Sequence, residues 1–231
     1  LACKELGINS KGYDILPFSV FLTNVKTRTY NPVELEQQFT KFKKIKGFNI
    51  SKNTLPDIAI VRKAFSSSTV DELLRLKREV NLIRKPEVRD FFMLGLLSIL
   101  ESVSNTVRGG GFLRIVNKSV PNSDIRKQFY CRIEDMIGDV KSFNISQQYK
   151  KVNSIAELSD SRNFISSKKF DAIITSPPYP NRHDYTRIYG LELIFNFVKN
   201  NNELKKIRYD TLRSHVEAKK RFESLGYKEP K

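Results

Sequence analysis

The first 28 residues, LACKELGINSKGYDILPFSVFLTNVKTR, pass from helix to strand to helix in one short stretch. Leu1 to Leu6 has the make-up of the last turns of a helix. Gly7 follows where a C-cap needs a backbone conformation that glycine adopts without strain. SKGYDI (10–15) reads as a short strand that ends at Asp14 and Ile15. Pro17 suits the first turn of a helix, where its missing N–H has no intrahelical partner to lose, and 18–28 has helical apolar spacing. Helix, strand and helix in such close succession are typical of a parallel α/β sheet.

The same pattern returns after Lys151. KVNSIAELSDSRNF offers a short strand followed by a loop around Asp160, and KKFDAIITSPPY offers an apolar strand that ends in a proline-rich motif. YTRIYGLELIFNFV (185–198) is apolar at helical spacing, and the run from Asn201 to Gly226 is a charged helix. The stretch between, about 31–150, is rich in Lys, Arg and Asn. Its spacing predicts a helix over 68–83, opened by Ser68 and Thr69, and an apolar, buried helix over 86–107 that starts on Pro86. Another helix is expected over 122–143, capped by Asn122 or Ser123. Gly109 to Gly111 form a flexible turn before a possible strand; without GK[ST] or GxGxxG spacing they do not make a phosphate cradle. These shifts divide the chain into 1–30, 31–150 and 151–231.

Charge narrows the partners. The 231 residues carry 41 Lys and Arg against 25 Asp and Glu, a net +16, and such an excess attracts polyanions. No run approaches the roughly 18 apolar residues that span a membrane, and no signal peptide is visible. Two cysteines, Cys3 and Cys131, and two histidines, His183 and His215, lack the spacing of a zinc site. Reduced thiols in a cytoplasmic protein fit this usage. The chain does not begin with Met, and residues are expected before Leu1.

The motif at the second strand end is TSPPY (175–179). Ligands bind at the carboxyl edge of α/β sheets, where such a strand ends. Pro177 and Pro178 fix φ and donate no backbone N–H, so their carbonyls stand on a stiff loop as acceptors. Ser176 adds a side-chain oxygen, and Tyr179 adds a flat face for stacking. Together these groups suit a planar ring with an exocyclic amine. That nitrogen is a poor nucleophile while its lone pair is delocalised into the ring. Acceptors around its two hydrogens favour a tetrahedral nitrogen that can attack. A base must leave the helix stack to reach such a pocket.

FDAIITSPPYPNRHDYTRIYGLEL (170–193) resembles the catalytic motif and following helix of the amino-group DNA methyltransferases. The resemblance implies a partial Rossmann-like methyltransferase sheet, α/β in class, with a large, mainly helical insertion over 31–150. It implies S-adenosyl-L-methionine as cofactor and double-stranded DNA, with one base flipped, as substrate. Ser176, Pro177, Pro178 and Tyr179 are then the catalytic residues. The serine form of the motif favours cytosine N4 over adenine N6. GINSKGYDILPFSVF (7–21) resembles the family's second cofactor motif. There Asp14 would take the ribose hydroxyls, and Ile15 and Phe18 would pack near the adenine. LSDSRNF (158–164) resembles the motif before the catalytic strand, which places Asp160 near the adenine. The family's glycine-rich loop lies about 20 residues ahead of the ribose acid, and only thirteen residues precede Asp14. That loop is therefore expected upstream of Leu1.

Arg182 and Arg187, in the segment after Tyr179, are the candidates for phosphate contact. Asp184 is a good N-cap for the next helix, and His183 is a possible but unneeded general base. The 31–150 stretch is either a DNA-contact region or a scaffold that caps the sheet. The leading expectation is a DNA methyltransferase of a restriction–modification system, with a cognate endonuclease as possible partner. An RNA base methyltransferase and a catalytically inactive DNA-binding fragment are the alternatives.

Overall fold

The computed structural model of the chain describes residues 1–45, 55–118, 122–143, 152–161, 169–176 and 184–211, and every structural statement below concerns them. The opening helix–strand–helix is present as α1 (Ala2–Glu5), β1 (Ser10–Asp14) and α2 (Pro17–Thr27). Gly7 takes φ +72°, the left-handed conformation that lets α1 stop and the chain turn into β1. At the other end of β1 the Leu16 N–H donates to Asp14 Oδ1 at 2.8 Å. The acid thus shapes the turn from β1 into α2.

The middle of the chain is mainly helical: α3 (Pro32–Lys43), α4 (Ala59–Ala64), α5 (Ser67–Asn81), α6 (Pro86–Ser98) and α7 (Asn122–Phe143). Ser66 caps α5 by accepting from the Thr69 N–H at 3.1 Å, so the helix opens slightly earlier than Ser68. The helix expected over 86–107 ends at Ser98, and 106–109 is a strand. Ser102 and Ser104 hydroxyls donate to the Ile99 and Glu101 carbonyls, offering the backbone turns in place of helix. Thr106 and Val107, β-branched, then favour extended chain. The result is an antiparallel hairpin of β2 (Thr106–Gly109) and β3 (Phe112–Ile115), turned at Gly110 with φ +60°.

The expected strand at 154–158 is β4 (Ser154–Leu158). It runs parallel to β1 in a register from Ser10 opposite Ser154 to Asp14 opposite Leu158. Ser10 N–H donates to Asn153 O and Ser159 N–H to Asp14 O at the two ends of the ladder. In a parallel ladder the residues between, Ser154 and Ala156, turn their backbone groups to the far edge. Helix α2 closes that edge. Asn24 Nδ2 donates to Ala156 O at 2.9 Å, Asn24 Oδ1 accepts from Ala156 N–H at 2.7 Å, and Thr27 Oγ1 donates to Ser154 O at 3.0 Å. A covered edge cannot accept another strand.

This bears on the second expected strand, FDAIIT. Residues 169–176 form no strand, and Ile173 and Ile174 are 84% and 93% exposed. Two adjacent apolar side chains point to opposite faces of a strand, so both are buried only within a sheet covered on both sides. Asn24 and Thr27 occupy the outer edge of β4 at Ser154 and Ala156, and among the described residues no strand lies beside 169–176.

The helix expected over 185–198 is split into α8 (Tyr185–Ile188) and α9 (Gly190–Asn196), broken at Tyr189 next to the weak helix former Gly190. α10 (Asn201–Asp210) follows, with Asn200 as its cap. One hydrophobic core joins these parts: Phe18 of α2, Phe42 of α3, Leu76 of α5, Phe92 and Leu96 of α6, Phe129 and Ile133 of α7, and Leu193 of α9. Within it Arg126 of α7 holds the buried Glu79 of α5 through both carboxylate oxygens, at 2.7 and 3.0 Å. The helices of 31–150 and those after Asp184 therefore pack as one body with α2.

Candidate functional site

The carboxyl ends of β1 and β4 bring three of the expected cofactor residues to one edge. Asp14 ends β1 directly opposite Leu158, and Asp160 lies two residues beyond that partner. The bond from Ser159 N–H to Asp14 O, 3.0 Å, ties the two exits together. Asp14 is exposed and Asp160 and Ile15 are half-buried. The edge thus presents two carboxylates beside the N-terminus of α2, a place that suits hydroxyl and amine donors. Phe18, the fourth candidate, is turned into the core. Its ring lies 5.1 Å from that of Tyr189 and 6.1 Å from that of Phe197.

Ser176 is exposed at the end of segment 169–176. Pro177, Pro178, Tyr179, Arg182 and His183 lie outside the described residues. Asp184 caps α8 as its sequence position suggests: Oδ1 accepts from Thr186 N–H at 2.9 Å. Arg187 is half-exposed, with Nε 3.2 Å from Asp184 Oδ2.

Two polar groups near this region escaped the sequence reading. Glu192 of α9 is 3% exposed. Its Oε1 accepts from Arg108 Nη2, while Oε2 has no hydrogen-bond partner among the described residues. Burial pushes the Glu192 carboxyl above its ordinary range, and the Arg108 guanidinium pulls it back. Arg108 also lies 5.5 Å from the Tyr189 ring centroid and pairs with Glu101 at 3.0 Å. Phe18, Tyr189, Arg108 and Glu192 share a groove of about 740 Å³ that runs along α2. An acid flanked by Leu191 and Leu193 in an apolar helix was a visible signal for this buried pair. The second group is Arg208 of α10, which reaches Thr186 Oγ1 at 3.0 Å. No local pattern marks that contact. Among the described residues, no three His, Cys, Asp or Glu side chains cluster as metal ligands. Nor is any helix there long and apolar enough to cross a membrane.

No family model and no solved structure matches the chain. Curated relatives do. The chain is 29% identical to the Type II methyltransferase M.BsoBI of Geobacillus stearothermophilus, over 97% of its own length and 50% of that protein. It is 28% identical to the Type II methyltransferases M.AvaI of Nostoc sp. and of Anabaena variabilis, over 95% of its length and 50% of theirs. The 231 residues, spanning about half the length of the curated relatives they match, are thus homologous over nearly their whole extent to Type II methyltransferases.

Proposed function

We propose that the complete protein is a site-specific DNA methyltransferase of a restriction–modification system. In this reading it transfers a methyl group from S-adenosylmethionine to the exocyclic amine of a flipped base, cytosine N4 in preference to adenine N6. The observation that carries the reading is the meeting of Asp14 and Asp160 on one carboxyl edge, in a chain that also holds TSPPY. Similarity to Type II methyltransferases supports it.

The donor set at the edge fits the cofactor. Asp14 is an exposed acceptor at a strand end, suited to two ribose hydroxyls, and Asp160 is an acceptor within one turn of the neighbouring strand's exit. When bound, S-adenosylmethionine supplies a methyl group on a positively charged sulfur. Ser176 Oγ and the carbonyls of the Ser176–Pro177–Pro178 stretch accept the two amine hydrogens, and Tyr179 stacks on the base. These acceptors hold the nitrogen lone pair out of conjugation. With the methyl donor bound, the nitrogen lone pair would take the methyl group as the sulfur keeps the bonding pair and leaves as a neutral thioether. The nitrogen would then give a proton to solvent, so no dedicated base is needed. Arg182 and Arg187 hold phosphates beside the extruded nucleotide, and the endonuclease of the same system is the partner.

A second reading applies to the 231 residues by themselves. The segment that leads into Ser176 stands exposed and outside any ladder, which favours a DNA-binding but inactive piece until the rest of the protein is joined to it. Methyl transfer to duplex DNA and to RNA by the complete protein separates the DNA reading from an RNA methyltransferase. Ser176→Ala and Tyr179→Ala should each slow the transfer by about 100-fold or more, the scale set by loss of a transition-state acceptor or of correct placement. Wild-type rates in both variants would overturn the mechanism.

A further inference from the structure

Eight residues beyond Ser176 the chain enters α8 through a buried polar cluster. Asp184 is 3% exposed. Its Oδ1 accepts from Thr186 N–H at 2.9 Å and from Thr186 Oγ1 at 2.6 Å. Those two bonds already cap the helix. Its Oδ2 faces Nε of Arg187 at 3.2 Å and Nε of Arg208 at 3.3 Å. Arg208 comes from α10, its side chain is 19% exposed, and its Nε also donates to Thr186 Oγ1 at 3.0 Å. A buried carboxylate needs a positive partner, and a cap alone does not need a second helix. Arg208 therefore fastens the first residues of α8 to α10.

The place of this fastening gives it a use. Residues 169–176 approach the Ser-Pro-Pro-Tyr motif exposed and unpaired in any ladder. On the other side of the motif in the chain, Asp184 is buried at the start of α8. Four residues lie between it and Tyr179. We propose that Arg208 is a positioning residue for methyl transfer: through Asp184 and Thr186 it sets where the motif is anchored, and so where the acceptor base is held. This rests on the methyltransferase reading above.

The test uses the complete protein and three variants, Arg208→Ala, Arg208→Lys and Thr186→Val, with Ser176→Ala as reference. A misplacement of about 1 Å at a reacting centre costs about 100-fold in rate. Arg208→Ala should therefore lower kcat by about that factor, with KM for DNA and for cofactor nearly unchanged. Added methylguanidinium should restore part of the lost rate. Arg208→Lys should fall between, because it keeps the charge but not the planar Nε donor. Thr186→Val keeps the volume and loses the hydroxyl that links Asp184 to Arg208; it should show the same kcat loss and faster hydrogen exchange at the Thr186 amide. It carries the test should Arg208→Ala fail to fold. The inference falls if Ser176→Ala is inactive while Thr186→Val and Arg208→Lys keep wild-type kcat. It falls equally if activity in the variants drops only in proportion to the folded fraction. A wild-type rate in Ser176→Ala instead removes the methyltransferase mechanism on which the inference stands.

Discussion

Asn24 offers the sharpest test of how the candidate site is held. It lies in α2, beyond the turn that Asp14 shapes, and its side-chain amide pairs with both backbone groups of Ala156 in β4, at 2.9 and 2.7 Å. β4 is the strand that delivers Asp160 to the carboxyl edge. Asn24→Ala removes both partners at once. Ala156 is 7% exposed, so water replaces them poorly. Each buried backbone group left unpaired costs about 1–3 kcal/mol; partial access of water to the sheet edge argues for a total of about 3 kcal/mol. For a protein of this size that lowers Tm by about 6–12 °C. Asn24→Asp is the informative companion. It keeps the acceptor for the Ala156 N–H but sets a carboxylate against the Ala156 carbonyl, so its cost should equal or exceed that of the alanine variant. Urea denaturation of the 231-residue chain gives the energies, and hydrogen exchange should show the Ala156 amide losing protection. A loss below about 0.5 kcal/mol, within the range of an ordinary surface substitution, would refute the reasoning, as would an unchanged Ala156 amide.

Two further outcomes follow from packing and charge in the same core. A Cβ on Gly95 would meet Ile133 Cδ1 at 2.5 Å, with Met136 Sδ at 3.5 Å. Overpacking of that kind costs about 1–3 kcal/mol, which exceeds the roughly 1 kcal/mol that alanine gains over glycine in a helix. Gly95→Ala should therefore destabilise by about 1 kcal/mol in the wild type. In an Ile133→Val background, which lacks Cδ1, it should stabilise; equal effects in both backgrounds, measured by denaturant melts, would rule the contact out. Glu192 predicts a pH dependence. Its folded carboxyl sits above the ordinary range because of burial, against the pull of Arg108. As pH rises past about 4.3 the unfolded chain loses the proton first, the native state holds more protons, and stability falls through the window up to the raised folded value. Glu192→Gln should flatten that part of the stability profile, and a slope identical to wild type would show that desolvation does not set it.

The parts of the fold that sequence made visible are those written in local punctuation. Gly7 and Pro17 bracket β1, and the turn acid Asp14 falls between them, so helix, strand and helix could be read within 28 residues. β4 and the first part of the charged 201–226 helix, α10, were readable from their own local patterns. β2 was not, because Thr106 and Val107 continue the apolar run of α6, and the switch to strand depends on a hairpin partner at 112–115. FDAIIT failed in the opposite way. Its apolar pattern states that both faces want cover, but a strand also needs a neighbour to pair with, and among the described residues none pairs with 169–176. Pairings across 132 residues, such as Asn24 with Ala156, leave no trace in local spacing. Asp14 and Asp160, proposed for the cofactor, could be placed at strand ends from local spacing, and they do reach one edge. The buried Glu192–Arg108 pair was half-written, as an acid in an apolar helix. The reach of Arg208 to Thr186 was not written at all.

The central claim is that Ser176 to Tyr179 hold a base amine for methylation at an edge where Asp14 and Asp160 hold the methyl donor. The most direct measurement is nucleoside analysis of duplex DNA after incubation with the complete protein and S-adenosylmethionine labelled in its methyl group. The account predicts label on N4-methyldeoxycytidine, lost in Ser176→Ala and in Asp14→Ala. Label on carbon 5 of cytosine, or an undiminished yield from both variants, would contradict it.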